Sequence, residues 1–426
     1  MSFTQFQLND HLNNAIKQCG FATPTPIQQQ SIPSILAGHD LLGLAQTGTG
    51  KTAAFILPTL QRLMATPSAH IRALIVAPTR ELAEQINDFT QTMLDKSQVR
   101  SLAIYGGVSK SVQVAKIRRG VDIVIACPGR LLDIVNDRAI DLSHVEVLVL
   151  DEADHMFDKG FLPDIRRILS RLPASRQNLV FSATMPDAIR YLTEKILVNP
   201  IKVQINPSRS AKSISHRLFA VAQEQKTDLL VHLLNDESMT TTLVFTRTKH
   251  KAKNLAVKLS RSGFKATSLQ GNLSQNKRQE ALNGFKDGSF SILVATDIAA
   301  RGIDVTGISH VINYDMPDTA EAYIHRTGRT GRAACSGEAL TFATSTDKHM
   351  IQLIERSLEG PIARQTTPKL AATSTRSESH QKTVSTKPVT APAKKSQGKS
   401  QAFPTSRKRQ KRSPGSDIFG LCKRDK

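Results

Sequence analysis

Val145-Glu-Val-Leu-Val-Leu-Asp151-Glu152-Ala153-Asp154 decides how this chain is read. Its apolar run, Val147 to Leu150, is bounded by polar residues, as expected of a buried strand in a parallel sheet. Open α/β sheets bind ligands at the C-terminal ends of such strands. Carboxylates placed there can hold Mg²⁺ and orient a water for attack on a phosphate. The same letters also suit a strand that ends in an acidic loop with no chemistry. The rest of the chain must therefore supply a phosphate site.

The phosphate site comes upstream, in Leu41-Leu-Gly-Leu-Ala45-Gln46-Thr47-Gly48-Thr49-Gly50-Lys51-Thr52. This reads as strand, glycine loop and helix, with the helix running over Ala53 to Leu63. Glycines let backbone N–H groups wrap a β-phosphate, and the helix N-terminus adds its positive end. Lys51 would reach the β- and γ-phosphates, and Thr52 would offer its hydroxyl to Mg²⁺. Ala45 stands where the general pattern has glycine.

Further strands are expected at Ala73 to Ala77, Asp122 to Ala126 and Leu179 to Ser182. Helices are expected at Glu81 to Leu94, Arg130 to Asn136 and Pro163 to Leu172. The alternation predicts a parallel sheet with helices on both faces. Ahead of it, Leu8, Leu12, Ala15 and Ile16 suggest a helix that stops at Gly20. A second helix is expected from Ile27 to Leu36. After a polar, Pro/Ser-rich linker at 207–213, the alternation restarts. Its strands are Leu243 to Thr246, Ala266 to Leu269, Ile292 to Ala295, Val311 to Tyr314 and Leu340 to Ala343. Its helices are Thr248 to Ser262, Asn276 to Asp287 and Ala320 to His325. This second α/β domain, residues 214–360, has no glycine loop ending in Lys-Thr, so the two domains (the first being 1–206) would share one nucleotide site.

The 426 residues carry a formal net charge of +21, which points to a polyanionic partner. From Pro361 onward there are 16 Lys/Arg against 3 Asp/Glu, so +13 of the excess sits in residues 361–426. That segment is dominated by Ser, Thr, Lys, Ala and Pro, a composition expected to stay disordered, and it carries the run Arg407-Lys-Arg-Gln-Lys-Arg412. The four cysteines, Cys19, Cys127, Cys335 and Cys422, are too scattered to suggest a metal site or a disulfide framework. No signal-peptide pattern opens the chain, and no apolar run reaches the roughly 20 residues that span a bilayer. A cytoplasmic protein without a membrane segment is expected.

Taken in order, the motifs resemble those of the DEAD-box ATP-dependent RNA helicases over about residues 3 to 345. In the first half the resemblance is carried by Gly20-Phe-Ala-Thr-Pro-Thr25-Pro-Ile-Gln28, Ala45 to Thr52, Pro78-Thr-Arg-Glu-Leu-Ala83, Gly106-Gly107, Pro128-Gly-Arg130, Asp151 to Asp154 and Ser182-Ala-Thr184. In the second half it is carried by Val244-Phe-Thr-Arg-Thr248, Gln270-Gly-Asn272, Ala295-Thr-Asp-Ile-Ala-Ala-Arg-Gly-Ile-Asp304 and His325-Arg-Thr-Gly-Arg-Thr-Gly-Arg332. The compact second domain and basic tail look most similar to the bacterial RhlE-type subgroup.

The resemblance implies two tandem RecA-like P-loop domains and a bound ATP with Mg²⁺. By that likeness Gln28 reads adenine, Phe3 stacks on it, and Thr25 belongs to the same site with the loop residues Gln46 to Thr52. Asp151 holds the metal with Thr52, and Glu152 activates water. Arg329 and Arg332 act as arginine fingers from the second domain, and Gly302 and Asp304 lie by the ribose. Asp154, Ser182, Thr184 and His325 couple ATP state to RNA. The RNA backbone meets Thr79, Arg80, Gly107 and Arg130 in the first domain and Arg247, Gly271 and Thr296 in the second. Cys127 departs from the family's usual Thr, and Gln270-Gly-Asn272 stands where His-Gly-Asp is common.

The activity implied is RNA-dependent ATP hydrolysis that opens short RNA duplexes, with ribosome assembly or RNA decay as compatible settings. An ATP-gated RNA clamp would use the same residues. A DNA-translocating helicase would share the paired domains, but the Gln28 region and the Thr79 to Glu81 segment argue against it.

Overall fold

A computed structural model of the chain describes residues 2–66, 68–95, 97–205, 214–300, 305, 307–331 and 336–368. The chain divides into two units, Met1–Ala371 and Ala372–Lys426, and the described residues all belong to the first. The expected linker at 207–213, Gly302, Asp304, Arg332 and the tail from residue 369 onward lie outside them.

The first sheet contains β1 (Leu41–Leu44), β2 (Ala73–Val76), β3 (Ser101–Ile104), β4 (Ile123–Ala126), β5 (Val147–Leu150), β6 (Gln177–Ser182) and β7 (Ile201–Gln204). The second contains β8 (Ile214–Ala220), β9 (Thr242–Phe245), β10 (Ala266–Leu269), β11 (Ile292–Ala295), β12 (His310–Asn313), β13 (Gly337–Ala343) and β14 (Ala363–Gln365). Their orders are β3-β4-β2-β5-β6-β1-β7 and β10-β11-β9-β12-β13-β8-β14, so one topology occurs twice. All pairings are parallel.

Each central strand feeds two cores, because successive side chains point to opposite faces. In β5, Val147 and Val149 join the cluster containing Phe55, Ile75 and Phe181, while Leu148 and Leu150 join the one containing Val76, Ile134 and Ile165. Burying each of these side chains is worth about 1.5–3 kcal/mol. Both faces are therefore committed, and the register that presents Asp151 at the strand's end is held from two sides.

Four strands had no counterpart in the sequence expectations: β3, β7, β8 and β14. None is buried along its whole length: β3 alternates between buried and half-buried positions, and β8 buries only Leu218 and Phe219. In β7 only Val203 is buried, and all three residues of β14 are exposed. β14 also moves a boundary. The chain from Pro361 was expected to be tail, yet Ala363 to Gln365 pair with Arg217 to Phe219, and Ile362 is buried. Thr367 Oγ1 donates to the Ala220 carbonyl at 2.6 Å. Residues 361–368 therefore complete the second sheet. Among the described residues, no helix is long and apolar enough to cross a membrane.

Candidate active site and polyanion cleft

The loop after β1 leads into the helix Lys51–Ala65. Gly48 and Gly50 adopt φ of +82° and +91°, conformations that favour glycine. A Cβ on Gly50 would lie 2.4 Å from Gln28 Nε2, so any side chain there would displace the Gln28 amide. Gln28 donates through that nitrogen to the Gly50 carbonyl at 3.1 Å and accepts from the Thr25 N–H at 2.9 Å. The residue expected to read a base therefore also ties its helix to the loop. Lys51 is buried, and its Nζ donates to the Ala45 carbonyl at 2.8 Å. Ala45 thus serves through its backbone, and a methyl group in place of the glycine hydrogen leaves that acceptor intact.

A cavity of about 350 Å³ opens above this loop. Phe3, Phe21 and Phe89 line one part of it, and Gly48, Lys51, Thr52, Asp151 and Glu152 line another. Phe3 and Phe21 stack with ring centroids 6.3 Å apart. Arg329 lines the same cavity from the second domain, and its Nε donates to the His325 carbonyl at 3.2 Å. Sequence reasoning named Phe3 alone as the aromatic wall. Phe21 lies within a quoted motif, while Phe89 sits mid-helix, where its spacing carries only a packing signal.

Asp151 and Glu152 are adjacent but differ electrostatically. Burial lifts Asp151 to about 7, against the pull of Lys51. Burial would raise Glu152 as well. Its hydrogen bond to His155 and the charges of His155, Arg329 and Lys51 instead hold it well below the usual carboxylate range. Glu152 also sits at φ +51°, ψ +53°, a left-handed conformation that costs a non-glycine residue about 1–2 kcal/mol. Such strain is typically retained where a side chain must be aimed.

Asp154 turns away from this cavity. Its Oδ2 accepts from the Ala183 N–H at 3.1 Å, the Thr184 N–H at 2.9 Å and the Thr184 hydroxyl at 3.0 Å. Its own N–H donates to Ser182 Oγ at 3.2 Å, and Ser182 Oγ donates to the Thr184 carbonyl at 2.7 Å. Of the residues expected to communicate, Asp154, Ser182 and Thr184 are in direct contact. His325 lies on the helix Ala320–Thr327, one turn before Arg329.

A separate cavity of about 540 Å³ gathers Thr79, Arg80 and Arg130 from the first domain with Arg247, Gly271 and Thr296 from the second. Gly107 adjoins it: a Cβ there would lie 2.1 Å from Arg80 Nη1, so the Arg80 guanidinium rests on the glycine. Arg130 is anchored through Gln113 Oε1 at 2.9 Å and the Val108 carbonyl at 3.1 Å, which braces the glycine turn. Lys159, Lys249 and Arg278, not singled out from the sequence, add positive charge to the lining. Arg278 pairs with Glu81 across the two domains at 2.5 Å.

The two departures have local consequences. Cys127 lines this cleft, and burial pushes its thiol up to about 12. Gln270 Oε1 accepts from the Asn272 N–H at 2.7 Å, and Asn272 Oδ1 accepts from Lys249 at 3.0 Å. That turn is held by its own amides together with the Lys249 ammonium and the Arg278 guanidinium, which donates to the Gln270 carbonyl at 3.1 Å.

These features define a class of protein: a nucleoside triphosphatase of two RecA-like domains, with one glycine loop, a carboxylate pair at a strand end and an arginine from the second domain in the same cavity. Comparison with known proteins narrows the class. The DEAD/DEAH box helicase family model matches residues 25–192, and the helicase conserved C-terminal domain matches residues 225–334. The chain is 42% identical over 371 residues to the DEAD-box ATP-dependent RNA helicase CshA of Bacillus licheniformis, covering 87% of this chain and 76% of that protein. It is 44% identical over 358 residues to the ATP-dependent RNA helicase DeaD of Mycobacterium tuberculosis, covering 84% and 63%. The structure of S. cerevisiae Dbp5 bound to RNA and ADP BeF3 superposes with a TM-score of 0.78 at 30% identity, covering 86% of this chain and 96% of that one. The chain belongs to the DEAD-box family of ATP-dependent RNA helicases, enzymes that hydrolyse ATP.

Proposed function

We propose that this enzyme couples ATP hydrolysis to local opening of short RNA duplexes, through two clefts that both domains must complete. The observation that carries this reading is that Lys51, Asp151 and Glu152 share a cavity with Arg329 of the second domain, while Thr79, Arg80 and Arg130 share another with Arg247, Gly271 and Thr296. Any ligand that contacts both sides of a cleft favours the closed arrangement. ATP and RNA would each do so, and each therefore strengthens binding of the other.

Adenine would lie against Phe3 and Phe21 and be read by Gln28, with Thr25 beside it. The backbone from Gln46 to Gly50 would wrap the phosphates, and Lys51 would neutralise them. Glu152, kept ionised by its surroundings, would orient the attacking water and take its proton. Arg329, with Arg332, would meet the charge that spreads over the γ-phosphate. Gly302 and Asp304 would face the ribose.

Mg²⁺ fits the residues present: Asp151 is a buried carboxylate whose ionisation a nearby cation would favour, and the Thr52 hydroxyl lines the same cavity. Among the described residues there is no cage of three His, Cys, Asp or Glu, which agrees with an ion that keeps several waters and phosphate oxygens. Bound there, Mg²⁺ supplies charge neutralisation at the phosphates.

RNA would cross the second cleft by its backbone, so that register is set without reading sequence. The contacts Asp154 makes with Ser182 and Thr184, together with His325, support a route between the two sites. The basic segment beyond residue 368 would act as an extra RNA arm. Placement in the RhlE-type subgroup rests on the compact second domain and this segment, while the relatives named above are CshA and DeaD. A cytoplasmic role in ribosome assembly or RNA decay is proposed on the same family likeness.

Glu152→Gln tests the reading. The variant is expected to bind an ATP analogue and single-stranded RNA with affinities within about twofold of wild type, each ligand tightening the other, while turnover falls by a factor on the order of 10² or more. Hydrolysis at the normal rate would remove Glu152 as the base. Strand displacement measured beside RNA retention separates unwinding from clamping, since retention alone would mark a clamp.

A further inference from the structure

We infer that His155 is a positioning residue for Glu152, holding one carboxylate oxygen so that the other faces the water. The inference rests on the reading of Glu152 as the base. His155 is buried, and its Nδ1 lies 3.2 Å from Glu152 Oε2. An ionised carboxylate only accepts hydrogen bonds, so Nδ1 carries the proton and donates.

Two features make this contact more than incidental packing. First, Glu152 is the N-cap of the short helix Ala153–Asp158 and is held in a left-handed conformation. Such a backbone sends the side chain in a direction that a helical residue would not take, and His155, three residues on, fixes its end from the following helix. Second, the His155 N–H donates to Asp154 Oδ1 at 3.0 Å, while Asp154 Oδ2 receives the N–H and hydroxyl of Thr184. One residue therefore touches the carboxylate that would act on water and the carboxylate that senses the Ser182–Thr184 turn. A shift of that turn would reach Glu152 through the His155 backbone and ring. Lys51 and Arg329 also act electrostatically on Glu152. Both line the ligand cavity with it, and they would be drawn to phosphate once ATP is present. His155 is the partner whose hydrogen bond comes from within Glu152's own helical turn.

The test uses full-length protein and four variants: His155→Ala, His155→Asn, Glu152→Gln and the double variant Glu152→Gln/His155→Ala. Asparagine places an N–H near the position of Nδ1. His155→Ala is expected to lower RNA-stimulated kcat by about 10- to 100-fold, with KM for ATP within about twofold. His155→Asn should recover most of the loss. In the Glu152→Gln background, His155→Ala should add no further loss, because both act through one carboxylate. Thermal melts in parallel identify any variant that fails to fold, and then His155→Asn against wild type decides the matter. The inference is overturned if a folded His155→Ala keeps kcat within about twofold of wild type, or if Asn and Ala are equally impaired. Should Glu152→Gln itself hydrolyse ATP normally, the base assignment fails instead. An inactive Glu152→Gln beside a fully active His155→Ala would sink the positioning role alone.

Discussion

At the scale of single residues, side-chain volume and donor strength decide what the clefts can bind. Gly50 is the sharper case. Its φ of +91° disfavours an L side chain, and a Cβ would press on Gln28 Nε2. Gly50→Ala should weaken ATP-analogue binding by on the order of tenfold, from a backbone cost of about 1–2 kcal/mol. An unchanged Kd in a fluorescence titration would show that the loop relaxes freely. Cys127 is the other case. Pushed up to about 12 by burial, it stays a neutral thiol and a weak donor. Cys127→Thr should tighten RNA binding about two- to fivefold, the worth of one net hydrogen bond of roughly 0.5–1 kcal/mol. Anisotropy with a labelled single strand reads this, and equal or weaker affinity would mean that no phosphate approaches position 127. Residues such as Gln28, Lys51 and Glu152 were marked as candidates in the sequence because each sits in a short motif that resembles the family's. His155, Phe89 and Arg278 were not, because each matters through a partner brought by the fold.

At the scale of elements, most strands recognised in sequence are buried along their whole length, β10 with only Leu269 buried being the clearest exception, and the ones missed are buried only in part or lie exposed. The run Ile123–Ala126 is fully buried, whereas Ile201–Gln204 buries one residue in four. Periodicity reports burial, so strands with little burial leave little trace. The repeated topology also shows why one site serves two domains. The helix after β8 begins Lys226-Thr227, as the helix after β1 begins Lys51-Thr52, but Gln223 to Gln225 replace the glycines and form a 3₁₀ turn. Lys226 Nζ is spent on the Tyr314 carbonyl at 2.9 Å.

Two histidines give the second sheet a pH dependence. Burial depresses His216 on β8 and His310 on β12 below the ordinary 6.5, and for His310 it outweighs the opposing pull of Glu338. As pH falls through about 6.5, the unfolded chain takes up protons that the folded state refuses, so stability is lost on acidification. The denaturation midpoint should fall between pH 7.5 and 5.5, and His216→Gln should show a smaller fall. An identical fall in the variant would assign the effect to other groups.

For the whole molecule, the second domain ends later than composition suggests. Truncation after Pro368 should lower RNA affinity and flatten its salt dependence, by about 0.7 in log–log slope for each lost single-strand phosphate contact, while sparing basal ATP hydrolysis. Truncation after Gly360 should additionally destabilise the second domain by about 2–5 kcal/mol. It removes Ile362 from the core and β14 from β8, and with them the Arg364–Glu355 pair at 3.0 Å. Equal stability of the two truncations, measured by thermal melts, would return residues 361–368 to the tail.

By itself the sequence determined the local grammar of this protein: a glycine loop between strand and helix, carboxylates at a strand end, two rounds of α/β alternation and a basic terminal segment. These are short-range facts, set by backbone conformation and by residues adjacent along the chain. Only the tertiary structure decided which distant residues meet. It put Arg329 in the cavity of Lys51, drew six positions proposed to meet RNA from two domains into one cleft and laid β14 against β8. Such contacts follow from how buried faces pack and from how strands order themselves within a sheet. Neither is written in the spacing of any one segment. Asp151 and Glu152 became candidates once the glycine loop was read beside them, but their opposite electrostatic settings arise from burial beside Lys51, Arg329 and His155, which only the folded chain assembles.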